Sequence, residues 1–192
     1  MLPEVITIEQ VHSIIDACTT ERMAVFFWTL YSLGLRLDEG LNLQVGDIDA
    51  ARGAVHIHRG KGAKDRYLPL PTSTLNLLRQ HWMSHRHDRF LFPADGRNHR
   101  SQPTASTPMA PTTPQDAMKL ITRQLKFGKK VSCHTLRHSY ATHLFEAGVS
   151  LKNIQKYLGH SSLQTTLVYI HITETAEADA RQTVERLFQR NL

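Results

Sequence analysis

The chain has 192 residues, a length that suits one compact domain with a substantial hydrophobic core. Its 23 Lys and Arg residues outnumber 17 Asp and Glu, so the net charge of +6 favours a polyanionic partner, although charge alone does not separate DNA from RNA or from an anionic membrane surface. The sequence has no long apolar stretch, signal peptide or lipidation motif, and its two cysteines give no disulfide framework, which excludes membrane-spanning and disulfide-scaffold classes.

Two helices and a turn are predicted at the start of the chain. Thr7-Ile8-Glu9-Gln10 is typical of a capping box, and the apolar residues that follow recur at helical spacing. A second, strongly apolar helix is predicted over about Met23 to Leu33. Both helices should pack into the core and support Arg36 at the next turn. The apolar stripe of the first helix consists of Val11, Ile14, Ile15 and Cys18.

A β-hairpin is predicted in the next part of the chain. Val45 to Asp49 leads into a small sheet, in which the alternating segment Val55 to His58 and the apolar run Tyr67 to Leu70 are the two strands of the hairpin. Between them lies the glycine-rich segment Arg59 to Arg66, which is typical of a turn. A helix over Leu75 to Trp82 follows.

The rest of the chain is predicted to be helical after one long loop. Pro93 to Pro114 is rich in Pro, Ser and Thr without any period, which is typical of a mobile loop. Periodicity and capping signals then predict further helices, so the fold class is α+β, mainly α-helical, with a small antiparallel sheet at one edge. These helices cover Gln115 to Leu125, His134 to Ala147, Leu151 to Leu158 behind a Ser150 cap, a short helix behind Ser162 that carries Tyr169, and the amphipathic segment Ala176 to Phe188.

Several short motifs combine into one pattern. His134 and Arg137 are spaced i, i+3 on a predicted helix, so one helix face presents both. Arg36 follows Gly34-Leu35, and an arginine guanidinium can donate two parallel hydrogen bonds to a phosphate. Tyr169 lies nine residues after His160 of Leu158-Gly159-His160. The glycine-rich turn contributes Lys61.

This ordered set, over roughly Thr7 to Ile172, resembles the catalytic domain of the tyrosine recombinase (phage integrase) family. The resemblance implies that residues 1–192 form that catalytic domain and that the N-terminal core-binding domain, which clamps DNA in the family, is absent, either by excision or in a natural short form. It also implies cutting and rejoining of double-stranded DNA through a covalent 3′-phosphotyrosine and a Holliday junction. The implied assembly is a tetramer on DNA, with no membrane partner. The expected location is the cytoplasm, in association with the nucleoid.

The resemblance assigns a role to each motif residue. Tyr169 is the implied nucleophile, His134 and His160 accept or relay its proton, and Arg36 and Arg137 form a cationic cradle for the phosphate. Lys61 is the implied general acid, with Lys64 as the competing choice. Arg59, Lys64 and Arg66 are expected to bind DNA. Because the phosphotyrosine conserves the energy of the broken bond, no nucleotide cofactor is expected, and the resemblance implies that no metal is needed either.

Other interpretations remain open on the sequence. The chain can be a type IB topoisomerase or a catalytically weak DNA-binding accessory remnant. Arg36 can instead be a structural partner of Glu39, and Cys133 is interpreted as a small packing residue. Asp38 stands where the family usually has serine or threonine, and we expect it to point away from the phosphate. Metal binding by His81, His85 and His87, or by His134 with His138, is a minority hypothesis, because no cysteine cluster or H-E-x-x-H motif accompanies them.

Overall fold

The computed structural model, which describes residues 4–58, 65–95, 102–162 and 164–167, is mainly helical with a small three-stranded sheet. The second helix, Glu21–Ser32, lies centrally and contacts the first helix and the third to sixth helices in chain order. The predicted mainly helical α+β class is confirmed. The helices are α1 (Ile8–Asp16), α2 (Glu21–Ser32), α3 (Leu37–Leu41), α4 (Thr72–His85), α5 (Thr112–Gln124), α6 (Cys133–Glu146), α7 (Leu151–Leu158) and α8 (Gln164–Leu167).

The predicted capping box starts α1. Thr7 Oγ1 accepts a hydrogen bond from the Gln10 amide at 3.2 Å, and Gln10 Oε1 accepts one from the Thr7 amide at 3.1 Å. These bonds satisfy two backbone donors that a helix start otherwise leaves without partners. Val11 and Ile14 are fully buried, as are Phe26, Phe27 and Leu30 of α2, so both predicted helices supply the core.

Three short antiparallel strands form the sheet in the order β1 (Ile48–Asp49), β2 (Ala54–Ile57) and β3 (Arg66–Pro69). The hairpin prediction is confirmed, with His56 opposite Tyr67 and Ile57 opposite Arg66. Side chains alternate between the faces of a strand, so β2 buries Val55 and Ile57 and places His56 on the opposite face. A 3₁₀ turn, Val45–Asp47, leads directly into β1.

The prediction of a mobile loop over Pro93 to Pro114 is wrong for its described parts. The Met109 amide donates to the Phe92 carbonyl at 2.8 Å, and Met109 is buried in the core. Helix α5 also begins earlier than predicted, because proline is tolerated within a first helical turn and Pro114 lies there. The Pro and Ser content of this segment gave no indication that one buried apolar residue, Met109, packs it against the core.

Helix α6 packs closely on the turn after α2. Gly34 has φ +59°, and a Cβ at Gly34 would lie 2.3 Å from a ring carbon of Tyr140 on α6. A larger residue would therefore hold the two elements apart as well as strain the backbone. This contact places the start of α3, with Arg36, beside the first turns of α6, with Arg137. No helix in the described ranges is long and apolar enough to cross a membrane.

Candidate active site

Three arginines from three separate elements converge on one carboxylate, that of Glu39 in α3. Arg66 on β3 donates to both oxygens of Glu39, at 2.8 and 2.9 Å. Arg36 donates to Glu39 Oε1 at 3.0 Å, and Arg137 Nη1 lies 3.7 Å from Oε2. Burial disfavours the Glu39 charge, but the hydrogen bonds and charge of Arg66, with help from the Arg36 amide and from Arg137, lower the Glu39 pKa to about 2.

Arg66 does not occupy the position predicted for a DNA-binding residue. It is buried, and besides its two bonds to Glu39 its Nε donates to the Tyr157 carbonyl at 2.7 Å. The guanidinium thus joins β3 to α3 and to the last turn of α7. A basic residue next to a glycine-rich turn is usually solvated, so the sequence pattern alone did not reveal this buried role. The prediction of DNA contact by Arg66 is contradicted by its burial.

Arg137 is also an interior residue, 2% exposed. Its Nη1 donates to the Gly34 carbonyl at 2.7 Å, and its Nη2 donates to the Leu158 carbonyl at 2.6 Å. It therefore joins the turn before α3 to the C-terminal end of α7, where a positive charge also suits the helix dipole. Arg66 and Arg137 bind consecutive carbonyls of that helix end.

Arg36 differs from the other two arginines because 41% of its side chain is exposed. It lines an open cleft of about 710 Å³. Its backbone amide and its guanidinium both donate to Glu39, so the structural pairing that the sequence left open does occur. Asp38 is exposed and is among the residues that line the same cleft, and its orientation away from the phosphate stays a prediction. The cleft lining also includes Glu39, Asn42, Gln44, Asp47, His56, His58, Gly159, His160 and Ser161.

His134 lies in the first turn of α6, as predicted. Partial burial of its ring lowers its pKa, and the positive charges of Arg137 and Arg36 lower it further. Its ring meets that of His138 edge to face, with centroids 4.5 Å apart. Burial and the neighbouring His134 and Arg137 lower the His138 pKa to about 4. At neutral pH both imidazoles are thus neutral, and a neutral ring can accept a proton.

His160 follows the left-handed Gly159 that ends α7. Its Nδ1 lies 3.0 Å from Thr166 Oγ1, and Thr166 is fully buried in α8. This contact holds the ring, and His160 lines the cleft next to Gly159 at the end of α7. Ser150 caps α7 at its other end, as predicted, by accepting from the Asn153 amide.

Four predicted site residues lie outside the described ranges, namely Arg59, Lys61, Lys64 and Tyr169. The predicted C-terminal helix from Ala176 to Phe188 lies outside them as well. Of the six predicted catalytic residues, the structure therefore places Arg36, His134, Arg137 and His160, and all four lie around the start of α3, the start of α6 and the end of α7.

One of the two histidine sets considered for metal binding, that of His81, His85 and His87, is buried in the core. Burial, the neighbouring His85 and the charge of Arg22 lower the His81 pKa to about 4, and its ring stacks on Phe92. His87 accepts from the Arg89 and Phe90 amides through Nδ1. Within the described ranges, the one group of three metal-ligating side chains is Asp47, His56 and His58, which the sequence analysis missed. The alternation of histidines along β2 was the available signal.

Arg36 and His160 line one cleft, beside the buried Arg137, and comparisons with known proteins identify the family to which the chain belongs. The model of the phage integrase family matches residues 4–176, so the chain belongs to the phage integrase family. The resemblance inferred from the motifs is thereby confirmed. The chain is 34% identical to a tyrosine recombinase of Thermosipho africanus, with 93% of this chain and 61% of the relative covered. It is also 34% identical to the tyrosine recombinase XerA of Pyrococcus furiosus, with 90% and 58% covered.

Solved structures show the same fold. The crystal structure of XerA recombinase matches with a TM-score of 0.78 and 25% identity, over 99% of this chain and 67% of that one. The XerH site-specific recombinase, solved with its difH substrate after cleavage, matches with a TM-score of 0.77 and 22% identity, over 96% and 54%. The chain spans 53% to 65% of the length of the first four curated relatives that it matches.

Proposed function

We propose that this chain is the catalytic domain of a site-specific DNA recombinase that cuts and rejoins double-stranded DNA through Tyr169. The observation that carries the proposal is the position of Arg36. Its guanidinium is held by Glu39 yet is 41% exposed in a cleft that His160 also lines. A fixed, exposed guanidinium is suited to bind the non-bridging oxygens of a phosphodiester.

The proposed first step transfers a phosphoryl group from DNA to the protein. The Tyr169 oxygen attacks phosphorus, a 3′-phosphotyrosine bond forms and the bond to the 5′-oxygen breaks. His134 and His160 accept or relay the phenol proton, and Lys61 supplies a proton to the departing 5′-oxygen, with Lys64 as the competing donor. The reverse reaction with a 5′-hydroxyl from another strand rejoins the DNA. One bond replaces another in each step, so the energy of the phosphodiester is retained and neither a nucleotide nor a metal is consumed.

Arg36 and Arg137 contribute differently to the site in this proposal. Arg36 and Arg137 form the cationic cradle for the phosphate, and Arg36 is the exposed member of the pair. Arg137 supports the site from the interior, because its two carbonyl bonds hold the starts of α3 and α6 against the end of α7. Burial, together with the charge of Arg137, also lowers the His134 pKa and so favours a neutral ring that can accept a proton. We propose that Arg59 and Lys64 add sequence-independent contacts to DNA phosphates.

The active assembly in this proposal is a tetramer on two DNA sites, with a Holliday junction between two rounds of strand exchange, located at the nucleoid in the cytoplasm. Relatives named tyrosine recombinase, and a recombinase solved with its DNA substrate, support the part of this proposal that concerns recombination and a DNA partner. The net charge of +6 supports a nucleic-acid partner.

A nicked suicide substrate tests the proposal. The nick releases a short product after cleavage, so the covalent protein–DNA adduct accumulates and can be detected on a denaturing gel. We expect an adduct whose DNA-linked peptide contains Tyr169, and Tyr169→Phe should form none while still binding DNA. Chelation with EDTA should leave the adduct yield unchanged. An adduct of undiminished yield in Tyr169→Phe would contradict the assignment of the nucleophile.

A further inference from the structure

A cluster of two imidazoles and a carboxylate lies at one end of the cleft, on the sheet. His56 and His58 are two residues apart on and just after β2, so they project from the same face, away from the buried Val55 and Ile57. Their ring centroids are 4.1 Å apart. The third member is Asp47, at the end of the 3₁₀ turn before β1. The proposed recombination chemistry assigns no role to these three residues.

Asp47 is a buried carboxylate that is already oriented toward the imidazoles. It is 6% exposed, and its Oδ2 accepts from the Gln44 amide at 2.8 Å. That bond leaves Oδ1 directed at His58, whose Nε2 lies 2.7 Å away. Burial of a carboxylate is costly unless the charge is paired, so this position suits an oxygen that meets a cation.

The donor atoms have nearly the spacing that a metal requires. One ligand atom each from Asp47, His56 and His58 lie within 4.8 Å of one another. A tetrahedral ion with bonds of about 2.0–2.2 Å sets its donors about 3.3–3.6 Å apart, so side-chain rotations that bring the donor atoms closer together would close the site. His56 is steadied by stacking on Tyr67 at 4.7 Å, and Asp65 Oδ2 lies 3.1 Å from His56 Nε2 and 3.8 Å from His58 Nδ1.

We propose that Asp47, His56 and His58 bind a divalent transition-metal ion of the Zn²⁺ type. Two imidazole nitrogens and one carboxylate oxygen form a donor set that suits zinc and similar ions better than magnesium or calcium, which favour oxygen ligands. Asp65 or a water molecule completes the tetrahedron. The Gln44 amide orients Asp47 from behind, as partners of metal ligands commonly do. The ion joins the turn before β1 to the end of β2 and takes no part in the phosphoryl transfer.

Calorimetric titration of the full chain with ZnCl₂, after removal of metals with EDTA and dialysis, tests this site without DNA or turnover. We expect one zinc ion per chain and a melting temperature that rises with added zinc, because a ligand that binds only the folded state stabilises it. His58→Gln should weaken binding by at least about tenfold, as should Asp47→Asn. Co²⁺ should give the visible absorption of a tetrahedral site in the wild type and not in His58→Gln.

His12→Gln is the matched control, since His12 is an exposed histidine on α1, outside the cluster. It should bind zinc as the wild type does. His58 is itself 56% exposed, so its replacement leaves the core intact, and an unchanged circular dichroism spectrum would verify folding. Zinc binding that is absent in the wild type, or that is equally strong in His58→Gln, would overturn the proposal. Either result leaves the recombinase proposal untouched, because that proposal requires no metal.

Discussion

Arg66 and Arg36 bind the same carboxylate but lie in opposite surroundings. Arg66 is 5% exposed in its side chain and donates to both oxygens of Glu39 as well as to the Tyr157 carbonyl. Arg36 is 41% exposed, and its guanidinium donates to Glu39 at one oxygen. On the inner side of Glu39, the contact between arginine and glutamate supports the architecture. On the outer side, the arginine faces the cleft.

The difference shows how one carboxylate can serve stability and function together. Removing one partner of a buried ion pair costs about 3–5 kcal/mol, because a charge remains buried without compensation. A solvent-exposed pair contributes only about 0–1 kcal/mol. The inner contacts of Glu39 should therefore dominate stability, whereas its outer contact mainly orients Arg36. The predictions that follow test this division, from the largest expected effect to the smallest.

Loss of the Glu39 charge should have the largest effect. Glu39→Gln leaves Arg66 and Arg137 buried without their anion, so we expect the free energy of unfolding to fall by about 3–5 kcal/mol. Denaturant unfolding followed by circular dichroism measures this change. Asp38→Asn is the matched control on the same helix, and it should stay within about 0.5 kcal/mol of the wild type. If both variants are equally stable, the inner contacts are not the stabilising ones.

Replacement of Arg36 should separate activity from stability. We expect Arg36→Ala to reduce the rate of adduct formation with a nicked substrate by about 10²–10³-fold, the usual cost of removing a donor that stabilises transition-state charge. Its free energy of unfolding should change by less than about 1 kcal/mol. Arg52→Ala, in the exposed pair with Asp49, is the control for charge alone and should cleave normally. An Arg36→Ala protein as unstable as Glu39→Gln would show that the outer arginine is structural too.

The acid limb of the stability curve should report the inner contacts. The Glu39 pKa is about 2 in the folded protein and 4.5 in the absence of perturbation, so the unfolded state binds more protons between those values. The contribution of Glu39 is therefore complete above pH 4.5 and is lost as the pH falls toward 2. This loss is on the order of 3 kcal/mol. The free energies of unfolding of the wild type and Glu39→Gln should accordingly converge as the pH falls from 5 to 2. A difference that stays constant over this range would mean that the Glu39 carboxylate is not the source of the stabilisation.

The smallest expected effect is that of Asp38→Asn on DNA binding, and it is a gain in affinity, whereas the other variants lose stability or activity. Asp38 is exposed on the cleft, where its charge repels phosphate. We expect its removal to tighten non-specific DNA binding by less than about tenfold, because solvent and salt screen an exposed charge. Fluorescence anisotropy at two salt concentrations measures this gain, which should shrink at the higher one. Weaker binding in Asp38→Asn would mean that the carboxylate assists the site.

Local patterns were sufficient to predict several features of this protein. The capping box at Thr7, the alternation along β2 and the helical spacing of His134 and Arg137 all depend on interactions within a few residues, so they are legible in the sequence. The ordered motifs also sufficed to identify the family. The apolar anchor Met109 escaped notice because a single buried residue has no period.

Burial and partnership were decided by the tertiary structure. The sequence pattern predicted a surface position for Arg66, but the packing of β3 against α3 and α7 buries it. Asp38 lies among the residues that line the cleft. The proposed metal site likewise joins Asp47 to His58, which belong to different elements. The local sequence around a charged residue does not indicate whether its side chain lies in water or in the interior. Only the long-range packing of α3, α6, α7 and the sheet determines whether its partner is solvent, a carbonyl or another charge.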